Sequence, residues 1–250
     1  MEDARTTLRW YIVVCMGRKS GSLALGMCKA AGSTLAVLPE EFREGSDLGA
    51  VVDTIVGAIV KRRSVGRKHG VAVVAEGVAE RLAPGAFDTA ENVERDAFGN
   101  ISLADIPLGP ILRDGVRKRL DEIGVHSTIH SKDIGYELRC AKPVAFDVDY
   151  TRTLGFGAVR YLVSGGSGAL IALRGGHVEP LALQELLDPA TGRIRTRQVD
   201  MTSEAYRVAR DYMVRLEPSD FEGERLEKLA AQTTLDTQTF RNEFERVALP

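Results

Sequence analysis

The 250-residue sequence is short of cysteine, histidine and tryptophan, and each shortage excludes something. Its three cysteines, Cys15, Cys28 and Cys140, are far apart and odd in number. They make no CxxC or metal-ligand pattern, which argues against a disulfide framework or a zinc site and fits a reducing compartment. The four histidines, His69, His126, His130 and His177, form no group with catalytic or metal-binding spacing. A one-sided charge is missing too, because 33 basic and 35 acidic side chains leave a formal net charge of −2. Bulk electrostatics therefore gives no pull toward nucleic acid or a membrane surface. No apolar run reaches the roughly 20 residues that span a bilayer, and no signal-peptide pattern opens the chain. A cytoplasmic chain without a membrane or nucleic-acid partner is expected.

What is present is an ordinary globular composition, 44% hydrophobic and 27% charged, with enough chain for a large core in one domain or two. The most informative stretch runs from Trp10 to Gly26. Trp10 to Cys15 is a continuous apolar run of the kind found in a strand buried on both faces. It stops at Met16-Gly17-Arg18, and small residues lead into a helix beginning near Leu23. In an open α/β sheet such a strand-to-helix turn is where ligands bind. Glycine lets a ligand approach the backbone, the helix N-terminus beyond favours an anion, and Arg18 adds a planar, permanently charged donor. The plainer reading is a tight turn shaped by Gly17 and Gly21 with a solvated arginine.

Further along, a helix over about residues 20–31 is closed by Gly32, and Thr34 to Leu38 reads as the next strand, ending in Pro39-Glu40-Glu41-Phe42. A helix carries Val51, Val52, Ile55, Ile59 and Val60 and ends in the basic cluster Lys61-Arg62-Arg63, which reads most simply as a solvated helix C-terminus. Val71 to Ala75 is a third buried strand, tipped by Glu76-Gly77. A carboxylate there is a candidate for a sugar hydroxyl, or else a cap on an exposed turn. Residues 84–109 read as a long loop, followed by an amphipathic helix through Ile111, Val116, Leu120 and Ile123. Ser127 to Ile134 reads as a strand that runs into Gly135-Tyr136-Glu137-Leu138-Arg139. On one helical turn Tyr136 and Arg139 share a face suited to clasping an anion. A helix over 147–163 and a hairpin through Gly175-Gly176 follow. Gly165-Gly166-Ser167-Gly168 precedes a strand and lacks a following Lys-Ser/Thr, so it reads as a turn and not a phosphate loop. Met201 to Arg215 reads as a helix. Residues 219–247 form a polar helical tail with Leu226, Leu229, Leu235, Phe240 and Phe244 on its apolar side, a docking or capping element.

Several of these pieces, taken in order, resemble the C-terminal half of the phosphofructokinase family, with the pyrophosphate-dependent branch and its ATP-using relatives most alike. The matching text is Met16-Gly-Arg-Lys-Ser-Gly with Leu-Ala-Leu-Gly after it, Leu38-Pro-Glu-Glu-Phe42 and Val74-Ala-Glu-Gly77. It continues with Asp133-Ile-Gly-Tyr-Glu-Leu-Arg139, with Pro143 and Asp147 behind it, and Leu154-Gly-Phe-Gly-Ala158. The likeness covers about residues 3–215.

The resemblance implies a mostly parallel, Rossmann-like sheet flanked by helices. It implies a fructose 6-phosphate-binding half over 1–215 and a helical extension over 216–250. Met16, Gly17 and Arg18 would lie against fructose 6-phosphate, with Arg18 also the candidate stabiliser of charge during transfer. Glu76 would bind a sugar hydroxyl, and the Tyr136-Glu137-Leu138-Arg139 turn would hold the 6-phosphate through Tyr136 and Arg139. Arg9 matches an arginine that, in bacterial relatives, reaches the sugar phosphate across a subunit interface. This favours a homo-oligomer. His130 stands where ATP-dependent bacterial relatives carry another such arginine.

The family's Gly-Gly-Asp donor loop and Thr-Ile-Asp segment, whose aspartate is the base, occur nowhere in these 250 residues. The chain is therefore expected to lack the N-terminal half and to carry no metal ligands of its own. Mg²⁺ and the donor, pyrophosphate or ATP, would belong to that other half. An alternative within the same resemblance is a non-catalytic sugar-phosphate-binding subunit that regulates or complements a partner enzyme.

Overall fold

The computed structural model describes residues 1–87, 106–190, 192–194 and 196–248, with the side chains of Pro84 and Arg139 outside that description. Most of the expected loop at 84–109 lies outside the described residues. Its ends are more ordered than a loop: Pro84–Phe87 is a 3₁₀ turn, and residues 108 and 109 already belong to the next helix.

In chain order the elements are α1 (Glu2–Thr7), β1 (Trp10–Cys15), α2 (Ser22–Ala31), β2 (Leu35–Val37), α3 (Leu48–Ser64), β3 (Gly70–Ala75), α4 (Val78–Arg81) and α5 (Leu108–Glu122). They continue with β4 (Ile129–Ile134), α6 (Tyr136–Cys140), α7 (Ala145–Val163), β5 (Ala169–Arg174) and β6 (His177–Ala182). The last helices are α8 (Glu204–Tyr212), α9 (Gly223–Ala230) and α10 (Thr237–Phe244). The chain divides into two compact units, Met1–Gly135 with Gln198–Pro250, and Tyr136–Arg197. These boundaries fall elsewhere than the division expected at 215/216.

The first unit holds a four-stranded sheet in the order β2-β3-β1-β4, parallel throughout, with Trp10 opposite Gly70 on one side and Ile129 on the other. β3 is buried along its whole length, as its Val/Ala sequence requires of a strand covered on both faces. α5 packs on β1 and β4, and α2 on β2 and β3. α5 buries Leu108, Leu112, Val116 and Leu120 at four-residue spacing, one stripe of an amphipathic helix. α3 is buried almost all round, including Asp53 and Thr54, because α5, α9 and the chain beyond α10 pack against it.

The C-terminal tail is built into this core. Phe221, Phe240 and Phe244 are buried, and the Phe240 and Phe244 rings stack with centroids 4.8 Å apart. Buried Asp53 fastens it, accepting Arg119 Nε at 2.9 Å and Arg246 Nη2 at 2.6 Å. Arg119 Nη2 also donates to Glu243 at 2.6 Å.

The helix expected over Met201 to Arg215 is shorter. Ser203 caps it by accepting the Tyr206 amide, and it ends at Tyr212. The chain then extends along β2, with the Val214 amide donating to Thr34 O at 2.8 Å. What stops the helix is burial of its last residues: Met213 and Leu216 enter the core, and fully buried Arg215 ion-pairs with Glu41, whose side chain is also fully buried. The second unit consists of α6, α7 and an antiparallel β5-β6 hairpin closed through Gly175-Gly176, with residues 165–168 as a plain turn before β5.

Arg215→Ala would leave the Glu41 carboxylate buried without its cation, at a cost of about 3–5 kcal/mol. Urea unfolding should show a lower midpoint with an unchanged slope. Replacing the pair together, Glu41→Leu with Arg215→Met, should recover much of the loss. A single variant as stable as the parent would refute the anchoring role.

Candidate functional site

β1 ends level with both of its partners, Cys15 standing opposite Ala75 and Ile134, and one further bond on each side carries the pairing into the turns: the Met16 amide donates to Ile134 O at 3.1 Å and the Glu76 amide to Cys15 O at 2.9 Å. The ends of β1, β3 and β4 therefore lie side by side, the arrangement that builds a ligand crevice in parallel sheets. The turn that follows is held by one carboxylate. Glu76 Oε1 accepts the Gly17 amide at 3.0 Å and the Arg18 amide at 2.7 Å. Arg18 takes the left-handed conformation at φ 47°, which for a residue with a side chain costs about 1 kcal/mol or more. Two bonds to a charged acceptor offset that cost. Gly77 completes the fit, because a Cβ there would fall on the Arg18 carbonyl oxygen.

The clamp leaves two groups facing outward. Glu76 Oε2 accepts no hydrogen bond from the described residues, and the exposed Arg18 guanidinium has no ion-pair or hydrogen-bond partner among them. An unpaired acceptor and an unpaired planar cation carried by the two residues of one clamp are groups suited to a polyhydroxylated anion. Below the turn, burial and then the Glu76 charge push the Cys15 thiol up to about 12.

At the helix N-terminus expected to favour an anion, the amide of the N-cap residue Gly21 is taken by the protein itself. Glu40 places its carboxylate there, accepting the Gly21 amide at 3.0 Å through Oε1 and at 3.2 Å through Oε2. The neighbouring Glu41 belongs to the core, bonded to Arg215, the Leu38 amide and the Tyr206 hydroxyl. Burial and the Glu41 charge raise the Tyr206 phenol well above its ordinary range.

Of the residues singled out in the sequence, Met16, Gly17, Arg18 and Glu76 come together at this strand end. Arg9 does not join them. It is exposed at the opposite end of β1, where its amide follows the end of α1. His130 also lies toward that end, its ring stacked on Tyr11 at 5.5 Å. Its Nε2 is buried without a hydrogen-bond partner among the described residues. Tyr136, Glu137, Leu138 and Arg139 form the helical turn α6 of the second unit, with Tyr136 and Glu137 exposed and Leu138 half-buried. The spacing of Tyr136 and Arg139 along that turn is as expected, while the Arg139 side chain lies outside the description. Sequence reasoning offered a turn cap for Glu76 without naming the Gly17 and Arg18 amides it grips, and missed the anchoring role of Arg215. An acid-glycine pair at a strand tip is a signal for the first; the second had none. Among the described residues no group of three or more His, Cys, Asp or Glu side chains fits a metal ion.

Fold and turn together define an α/β protein of the class that binds ligands at the carboxyl ends of parallel strands. A family model for phosphofructokinase matches residues 1–162, and the chain belongs to the phosphofructokinase family. It is 48% identical over 227 residues to the pyrophosphate–fructose 6-phosphate 1-phosphotransferase of Thermotoga maritima, an alignment covering 89% of this chain and 54% of that relative. It is 44% identical over 256 aligned positions to the enzyme of the same name from Naegleria fowleri, covering 98% of this chain and 59% of that one. The chain thus spans a little over half the length of these curated relatives. Among solved structures, the pyrophosphate-dependent phosphofructokinase of Marinobacter aquaeolei superposes with a TM-score of 0.51 at 14% identity, over 100% of this chain and 51% of that one. The phosphofructokinase of Saccharomyces cerevisiae gives 0.53 at 23% identity, over 74% and 21%. These two likenesses show the fold.

Two outcomes follow from the clamp. Glu76→Ala should speed amide hydrogen exchange at Gly17 and Arg18 roughly a hundredfold, the equivalent of losing two charge-assisted bonds. Glu76→Gln, which keeps an acceptor oxygen, should preserve most of the protection; equal exchange in all three proteins would remove the clamp. Separately, a thiol reagent at pH 8 should label exposed Cys140 in the native protein, and buried Cys15 and Cys28 only in denaturant. Burial disfavours the thiolate, so raising the pH to 9 should not open Cys15. Fast native labelling of Cys15 would contradict its placement.

Proposed function

We propose that this chain supplies the acceptor side of a pyrophosphate-dependent phosphofructokinase, binding fructose 6-phosphate for phosphorylation at its 1-hydroxyl. The observation that carries the reading is the Glu76 clamp. One carboxylate holds the Gly17 and Arg18 amides while its second oxygen and the Arg18 guanidinium have no partner among the described residues. In this reading Glu76 Oε2 accepts a sugar hydroxyl, and Met16 and Gly17 line the sugar. Arg18 stabilises phosphate charge. Tyr136 and Arg139, within the Tyr136-Glu137-Leu138-Arg139 turn, hold the 6-phosphate. Arg9, exposed at the far end of β1, serves a neighbouring subunit in a homo-oligomer. Residues 1–215 form the sugar-phosphate half and 216–250 its helical extension. Pyrophosphate is favoured as donor because the relatives at 48% and 44% identity are named for it.

In the reaction the 1-hydroxyl oxygen attacks a phosphorus of pyrophosphate, the bridging P–O bond breaks, inorganic phosphate leaves, and the hydroxyl proton passes to a base. Among the described residues, none of Glu40, Glu41 and Glu76 is placed for that base, and exposed Asp133, one residue before the end of β4, is not assigned to it. Glu41 is ion-paired in the core and Glu40 is spent on backbone amides, while Glu76 faces the sugar only through Oε2. Base and donor loop therefore come from protein beyond these 250 residues, in the same polypeptide or another. In this reading Mg²⁺ belongs with the donor in that other part and takes part in no step assigned to this chain.

Calorimetry on the full chain tests the reading. Arg18→Ala and Arg139→Ala should each weaken fructose 6-phosphate roughly a hundredfold, the worth of a charge-assisted phosphate contact, and leave fructose unchanged. Equal loss for both sugars would take these arginines off the phosphate. With fructose 6-phosphate, pyrophosphate and Mg²⁺, the 250 residues alone should form no fructose 1,6-bisphosphate. Robust turnover would overturn the division of labour.

A further inference from the structure

The two crossings between the compact units follow Gly135 and precede Gln198. Each is tied, within the first unit, to one end of the turn over residues 16–21. At the first crossing, Ile134 O accepts the Met16 amide at 3.1 Å. At the second, the link is Glu40. The Oε1 that takes the Gly21 amide at 3.0 Å also takes the Val199 amide, one residue into the returning chain, at 2.8 Å.

We infer that Glu40 is a positioning residue that couples the returning chain at Val199 to the candidate sugar turn. It sits in the turn Pro39–Glu41 after β2, an edge strand, and β3 lies between β2 and β1. Its carboxylate therefore joins segments distant in sequence and attached to different strands. The contact is close: a Cβ on Gly21 would stand 2.7 Å from Glu40 Oε2 and 2.8 Å from Leu38 Cβ, so a side chain there would crowd both. The base of Glu40 is held as well. Glu41 binds the Leu38 amide at 3.0 Å and pairs with Arg215, and the Tyr206 hydroxyl donates to it at 3.0 Å. Tyr206 and Arg215 both lie on the chain that begins its return at Gln198. With its backbone fixed, Glu40 has little freedom to follow a displaced Val199 and still keep Gly21. A shift of the returning chain is therefore felt at the α2 N-terminus, and ordering the turn with a ligand tightens the hold on Val199.

This inference rests on the reading of residues 16–18 as a sugar contact, but its test does not. Amide hydrogen exchange on the full chain is the first readout. Glu40→Ala should speed exchange at Gly21 and Val199 together, about tenfold each, and Glu40→Gln, which keeps an acceptor toward both donors, should restore both. Val199→Pro removes one donor without touching the turn, and should raise exchange across Gly17 to Gly21. Glu40→Asp, one methylene too short to bridge both donors, should do the same and stands in if the proline variant does not fold. Exchange changes confined to residues around the mutated position would overturn the coupling. The second readout is fructose 6-phosphate affinity, expected to fall about tenfold in Glu40→Ala and Val199→Pro and less than twofold in Glu40→Gln. Coupled exchange with no sugar binding by the parent would sink the sugar reading and leave the coupling standing. Sugar binding unchanged by all variants would overturn Glu40 as a positioning residue.

Discussion

The candidate site depends on one constraint, the bonding of backbone amides after β1 to the Glu76 carboxylate at the tip of β3. The pairing of β1 with β3 brings the two tips together, and the carboxylate converts that neighbourhood into a defined turn. Without it, Gly17 and Arg18 would present two amides with no acceptor and a left-handed residue with nothing to offset its cost. The same group then has a second oxygen to offer a ligand, so the device that shapes the site also belongs to it. Of the two readings of Glu76 available from sequence, the structure shows the cap on a turn, and the proposed sugar contact would use the oxygen left over. Its Oε1 caps, and its Oε2 faces outward.

Carboxylates recur as the fastening elsewhere. Glu40 holds Gly21 and Val199, Glu41 holds Arg215 and Tyr206, and Asp53 holds Arg119 and Arg246. Each joins segments far apart in the chain, and each accepts from more than one donor. Buried or half-buried acids of this kind add little net stability over an apolar pair, but they discriminate strongly against partial or misregistered packing, because a stranded charge is costly. The C-terminal residues are in this sense part of the first unit's architecture. Their phenylalanines supply burial, and the acids of α3 and the β2 tip set where those residues dock.

The strands and most helices were legible in the residues themselves. Trp10 to Cys15 and Val71 to Ala75 are β-branched apolar runs too short for helices, and Leu112, Val116 and Leu120 repeat at helical spacing. These patterns are local, and the structure keeps them. The helix expected to reach Arg215 stopped at Tyr212 because a partner distant in sequence, Glu41, draws Arg215 into the core. At the N-terminus of α2, where sequence suggested an anion, the N-cap amide of Gly21 is taken by the protein's own Glu40, supplied from another strand end. Arg9 and the Met16–Arg18 turn share a strand in sequence and sit at its opposite ends in space.

The sequence by itself determined the strand and helix periods, the strand-to-helix turn at Met16-Gly17-Arg18, the acid at the β3 tip and the family likeness carried by its motifs. Each of these is written in neighbouring residues, where hydrophobic period, glycine and charge act over a few positions. Only the tertiary structure decided what the acids do. Glu40, Glu41, Glu76 and Asp53 are alike in sequence as carboxylates beside strand ends or on a helix. Their roles are settled by which amide or guanidinium the folded chain brings within about 3 Å, the range over which a hydrogen bond acts.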